Sequence, residues 1–294
     1  MKIYDNERIS SSKGNQLKMT DGEFWYKIDN LGYEGLAEFL VSRLLAYTNI
    51  EEYVKYDLAK IDLNNSMYLG CKSRNFLRNG EEVITADRLF KMFEGMSASE
   101  YISQEKSIAK QISAFINKIE EITGIKNYGQ VLTRILEFDG FVLNDDRHFN
   151  NIAFIRNVET STIRPCTLFD SGAAFLSDTK YDYPLNKNIY GLIASAQSKP
   201  FSVNFDKQVL ACEDLYGVQL KIDSSIYITH EMKAEMLKYY DDAVCERVCS
   251  IFEHQKMLCD YLCDPSVHTT SAPQSIKGLA EFEVFAKCRP KHLC

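Results

Sequence analysis

With 294 residues, 45% hydrophobic and 26% charged, the chain is long enough for one large domain or two lobes, and its composition excludes a disordered or fibrous protein. A formal net charge of −7 argues against a chain that wraps nucleic acid unaided, because neutralising phosphates needs clustered Lys and Arg. No run of about 18 apolar residues is present and the start "MKIYDNERIS" lacks the apolar stretch of a secretory signal, so a cytoplasmic protein without a membrane span is expected.

Nine cysteines without CxxC spacing, in a chain with no export signal, are expected to be reduced thiols. Cys245, Cys249, Cys259 and Cys263 lie at i,i+4 within a helical pattern, with His254 between the pairs. A metal could use that spacing, although such cysteines usually fill a helix's core face.

In chain order, "SSKGNQLK" at 11–18 is a Ser/Gly-rich turn, and "MTDGEFWYKI" sets Asp21-Gly22 between two extended runs, a strong hairpin signal. On the second run a period of two places Glu23, Trp25 and Lys27 on one face. "GYEGLAEFLVSRLLAY" follows with apolar residues at 36, 40, 44 and 47, the spacing of an amphipathic helix. Glu34 and Glu38 share a face of that helix. Strand-like runs resume at "EEYVKYDLAKIDLNNSMYLGCKSRNFL", broken at Asn64-Asn65. From about residue 84 most of the chain reads helical, over 84–94, 98–122, 128–143, 206–218 and 229–263, with short strands around 152–156 and 166–169. The tail after Pro265 is polar. The expected architecture is α+β and bilobal: a β-rich small lobe over 1–77, a mainly helical large lobe over 78–264 and a tail over 265–294.

The densest chemistry lies in "VLNDDRHFNNIAF", 142–154, a polar loop between an apolar helix and an apolar strand. "TLFDSGAAF" repeats the arrangement, with Asp170 followed by Gly172, where a sharp turn is expected. Phosphoryl transfer needs a carboxylate near the attacking hydroxyl, and hard oxygen donors to hold Mg²⁺ against phosphate. Asp146, Asn151 and Asp170 supply that set, while Asp145 with Asn150 offers the same five-residue spacing. Any one of these residues alone is more simply read as a turn cap.

The pattern D-R-H-x-x-N followed by F-D-x-G resembles the catalytic and metal-binding loops of HipA-like serine/threonine kinases, and more distantly those of phosphatidylinositol 3- and 4-kinases. The resemblance implies a protein-kinase-like fold. It makes Asp146 the catalytic carboxylate, Asn151 and Asp170 the Mg²⁺ ligands, and His148 the residue that braces the loop. "SSKGNQLK" is similar to the family's S-x-x-G-x-Q-x-K loop over the ATP phosphates, with Asn15 in place of a small residue. Ser11, Ser12, Gly14, Asn15, Gln16 and Lys18 would then bind nucleotide, Lys27 would contact the α- and β-phosphates, and Glu38 would orient Lys27, with Glu34 as the substitute. Adenine would bind at a hinge between Cys71 and Phe76.

In that family the first serine of the phosphate loop is an autophosphorylation site, which points to regulation at Ser11 or its neighbours Ser10 and Ser12, since a phosphate would expel the loop by charge and size. The extra N-terminal subdomain of longer HipA proteins has no counterpart before residue 11, so a compact form is expected. By the same analogy the substrate is a protein such as an aminoacyl-tRNA synthetase, an antitoxin partner is conceivable, and a toxin–antitoxin role follows. The alternatives are a lipid or small-molecule kinase with the same loop chemistry, and a non-catalytic nucleotide-binding protein.

Overall fold

The computed structural model describes residues 16–264. Its first sheet is antiparallel, in the order β1-β2-β4-β3, from β1 (Lys18–Thr20), β2 (Phe24–Ile28), β3 (Tyr56–Leu63) and β4 (Ser66–Arg74). Asp21-Gly22 turns β1 into β2, Gly22 taking a φ of 98° that its missing Cβ permits. Asn64 and Asn65 both have positive φ, 52° and 63°, the mirror-image turn whose twist suits a two-residue hairpin between β3 and β4.

Helix α1 (Glu34–Leu44) lies against this sheet and is buried nearly all round, where periodicity alone suggests one wet face. Gly35 and Gly70 make that approach possible: a Cβ on Gly35 would stand 2.5 Å from the Gly70 carbonyl carbon. Leu36, Leu40 and Leu44 continue into a core shared with the large lobe, reaching Phe138, Phe141, Ile251 and Phe252.

The large lobe opens with a strand, β5 (Glu81–Thr85), whose last two residues fall at the start of the helix expected over 84–94. It pairs with β6 (Ala153–Asn157), which pairs with β7 (Ile163–Pro165). The segment 166–169 is therefore not a strand of this hairpin; Leu168 makes an isolated bridge to Tyr53. The helices are α2 (Ala86–Glu94), α3 (Ala98–Ile102), α4 (Ile108–Thr123), α5 (Tyr128–Val142), α6 (Ile189–Ser195), α7 (Phe205–Tyr216), α8 (His230–Met236) and α9 (Asp242–Leu258).

Two expected long helices are each broken in two. Ser107 caps α4 through the Lys110 N–H, and Asp241 caps α9 through the Val244 N–H, so a new helix starts where periodicity sees only continuation. Helix α6 was not anticipated. No helix of the described residues is long and apolar enough to cross a membrane. Among the described residues the seven cysteines are free thiols, and no group of three or more His, Cys, Asp or Glu side chains is placed to hold a metal.

Candidate active site

Strand β2 delivers Lys27 into the cleft between the lobes, where its side chain is 9% exposed. Its ammonium pairs with Glu38 of α1, donates to Asp170 Oδ1 at 2.7 Å, and lies 5.0 Å from the centre of the Tyr56 ring. The aromatic wall beside Lys27 is thus Tyr56, from β3. Burial alone would disfavour the ammonium, but Asp170 and Glu38 outweigh it and hold the Lys27 pKa well above the ordinary value.

The second Glu38 oxygen accepts the Ser171 N–H at 3.0 Å, so one buried carboxylate connects both sides of the cleft. Glu34 lines the same cleft but does not pair with Lys27. It accepts the N–H groups of Leu31 at 2.6 Å and Gly32 at 3.1 Å, closing the loop that enters α1.

Lys18, opposite Lys27 across the β1–β2 register, donates to Asp170 Oδ2 at 3.1 Å. Burial would raise the Asp170 carboxyl, yet Lys27 and Lys18 together hold it well below the usual carboxylate range. Asp170 itself, with a φ of 60°, takes the left-handed backbone conformation at this turn. The sharp turn expected at Gly172 falls two residues earlier, on a side chain that has to accept strain to stand there.

Helix α5 ends in Leu143, whose φ of 54° turns the chain into the polar loop. Arg147 is the buried centre of that loop, 1% exposed. Its guanidinium grips Asp139 at 2.7 and 3.0 Å and donates to the carbonyls of Asn151 and Phe169, both at 3.1 Å. One side chain therefore ties α5, the Asp146 loop and the segment before Asp170 together. His148, expected to brace the loop, does less. Its Nδ1 accepts the Asn150 N–H at 3.2 Å, and its Nε2 lies 3.7 Å from Asp146 Oδ2. Burial lowers its pKa against the opposing pull of Asp146, which favours the neutral ring.

Asp145 and Asp146 diverge although adjacent. Asp145 accepts the Tyr183 hydroxyl at 2.7 Å, whereas Asp146 accepts the ammonium of Lys199 at 2.7 Å. Asn151 donates its amide to the Asp146 carbonyl at 2.9 Å, which leaves its side-chain oxygen as an acceptor. Gln16, Asp145, Asp146, Asn151 and Asp170 all line one cleft. The Gln16 amide nitrogen is buried there with no hydrogen-bond partner among the described residues. Ser11, Ser12, Gly14 and Asn15 lie outside the described residues, and so does the modification expected at Ser11.

No family model and no curated protein matches the chain. Among solved structures, the crystal structure of the Helicobacter pylori proinflammatory kinase CtkA is similar, with a TM-score of 0.59 and 15% identity, over 87% of this chain and 93% of that one. The likeness is one of fold. HipA of Shewanella oneidensis MR-1, solved with HipB and operator DNA, matches at a TM-score of 0.39 and 12% identity, over 90% of this chain and 69% of that one. The chain thus has a kinase-like α+β architecture, with the cleft between its two lobes.

Four residues escaped the sequence reading: Arg147 and its partner Asp139, Tyr183, and Lys199. Arg147 had a signal, since an arginine between two aspartates and a buried strand needs a counter-charge. The other two had none, because their partners lie 38 and 53 positions away.

Proposed function

We propose that the chain is an ATP- and Mg²⁺-dependent phosphotransferase acting on a protein serine or threonine. One observation carries the reading: the buried Lys27–Glu38 pair meets Asp170 in the same cleft that holds Asp146 and Asn151. In this reading the chain divides near residue 77 into a nucleotide-binding small lobe and a large lobe that supplies the catalytic loop.

The donor set fits the metal. Asn151 and Asp170 offer hard oxygens at one cleft, and a magnesium ion held partly by phosphates and water needs only one or two protein ligands. When bound, it would neutralise phosphate charge. Lys27 and Lys18 would hold phosphate oxygens, and the Gln16 amide, unpartnered among the described residues, would donate to another. Asp146 orients the acceptor hydroxyl and takes its proton as the oxygen bonds to the γ-phosphorus. Arg147 keeps Asp146 and Asp170 in register without touching the nucleotide.

The test is incubation with γ-labelled ATP and Mg²⁺ of the wild type and of Asp146→Ala and Asp170→Ala, each with its folding checked by circular dichroism. Label should appear on the wild type or an added protein and fall about 10³-fold or more in both variants. A wild type that binds no ATP, or variants that still transfer, would sink the reading.

A further inference from the structure

The stretch "SKPF" carries a cation that the scheme above leaves unused. Lys199 precedes α7, 53 positions from Asp146, yet its Nζ donates to Asp146 Oδ1 at 2.7 Å. The loop that presents it is built. The Ser198 N–H reaches the Val203 carbonyl at 3.1 Å and the Ser198 hydroxyl the Ser202 carbonyl at 2.7 Å. Gln208 of α7, fully buried, accepts the Phe201 N–H and donates to the Lys199 carbonyl, both at 2.9 Å.

The same loop is bolted to the Asp146 loop by rings. Phe201 meets Phe149, the residue after His148, at 5.6 Å between centroids, and Phe115 touches the two at 5.6 and 5.0 Å. Packing and backbone bonds therefore hold the Lys199 backbone, and with it the ammonium, against the catalytic carboxylate. The ion pair by itself does little for folding, because the Lys199 side chain is 36% exposed and an exposed pair gains little over water. An ammonium has three donors, and among the described residues Asp146 is the acceptor of the one this structure uses. The lysines of the small lobe, Lys18 and Lys27, stand on Asp170 instead.

We propose that Lys199 is a catalytic residue whose ammonium contacts the γ-phosphoryl oxygens of ATP from the large-lobe side. The inference rests on the phosphotransferase reading and adds a group to it. As the acceptor oxygen bonds to the γ-phosphorus, the bond from that phosphorus to the β,γ-bridging oxygen breaks. Its electron pair leaves on ADP, and the hydroxyl proton passes to Asp146. Lys199 offsets the charge spread over the equatorial oxygens, next to the carboxylate that receives the proton.

Lys199→Met and Lys199→Arg are compared with wild type in two measurements: steady-state phosphoryl transfer, and calorimetric binding of ATP and of ADP. The proposal expects Lys199→Met to lose about 10²-fold or more in kcat. It expects ADP affinity to stay within about twofold while ATP affinity falls about tenfold, and Lys199→Arg to recover part of both because it keeps the charge. An unchanged kcat in Lys199→Met overturns the proposal. So does a loss of kcat with the ATP-to-ADP affinity ratio unchanged, the mark of a residue that only positions Asp146. A wild type that binds nucleotide without transferring phosphate counts against the phosphotransferase reading alone, and the affinity ratio still decides the role of Lys199. A Lys199→Met that fails to fold leaves the decision to Lys199→Gln, which also removes the charge: a wild-type rate with an unchanged ratio there overturns the proposal, and a loss of both supports it.

Discussion

Two buried charge clusters hold the cleft, and they are built differently. The first, Arg147 with Asp139, lies wholly in the large lobe: both side chains are 1% exposed, and the guanidinium's other bonds go to two backbone carbonyls and the Ser171 hydroxyl. The second joins the lobes. Lys18, Lys27 and Glu38 come from the small lobe, Asp170 and the Ser171 N–H from the large one, and Asp170 keeps 14% of its side chain exposed. The first cluster is a brace with nothing left to exchange. The second is a clamp at the cleft edge, whose partners can be shared with a ligand. A buried charge fully satisfied within one loop fixes geometry, whereas one satisfied across two lobes couples geometry to whatever enters between them.

Breaking the brace should have the largest effect on stability. Arg147→Met takes the guanidinium away from the buried Asp139 carboxylate and should cost about 3–5 kcal/mol, read as a lower urea midpoint; Arg147→Met with Asp139→Asn should regain most of it, since the buried charge is then gone and the Asn144 amide keeps an acceptor. A loss under about 1 kcal/mol in the single variant would mean that water reaches Asp139 and that the brace is no stiffer than the clamp.

The junction between lobes should show itself through pH. Asp29, which follows β2, accepts the Gly35 N–H at 2.6 Å and the hydroxyl of Tyr240 from the large lobe at 2.7 Å. Burial lifts its carboxyl to about 7, against an ordinary 3.8. The folded state then holds its proton more tightly than the unfolded chain does, so the contribution is full below about pH 4 and is lost as pH rises through about 7. Glu137, which burial also lifts to about 7, acts in the same direction. Stability should thus fall by roughly 2–3 kcal/mol per group between pH 4 and 7, and Asp29→Asn should remove its share of the slope. A variant with the wild-type slope would place the titration elsewhere.

The smallest effect expected is that of Tyr240→Phe, which removes one inter-lobe hydrogen bond and should cost about 1 kcal/mol. Because that bond favours the ionised Asp29, its loss should also push the Asp29 carboxyl further up and steepen the decline toward neutral pH. Thermal unfolding across a pH series checks both. An unaltered curve would show that Tyr240 does not hold the lobes together.

What the sequence alone determined was local. Asp21-Gly22 and Asn64-Asn65 turn the chain because of the backbone conformations those residues accept. The apolar periodicity over 128–143 is a helix, and the Asp146-to-Asn151 spacing lies on a loop held at both ends by buried elements. Breaks in long helical patterns were not legible, because a cap such as Ser107 or Asp241 looks like any polar residue until its side chain meets the next backbone N–H. The division between Glu34 and Glu38 was open for a related reason. Both stand on one face of α1, and only the packed helix shows that Glu38 meets Lys27 while Glu34 accepts the N–H groups of the loop before it.

The tertiary structure decided the partnerships between distant residues. Tyr183 with Asp145, Lys199 with Asp146 and Tyr240 with Asp29 span 38, 53 and 211 positions. No periodicity encodes such contacts. They follow from how the Phe115–Phe149–Phe201 cluster and the shared core of α1, α5 and α9 pack, and packing is a property of the whole chain rather than of any segment.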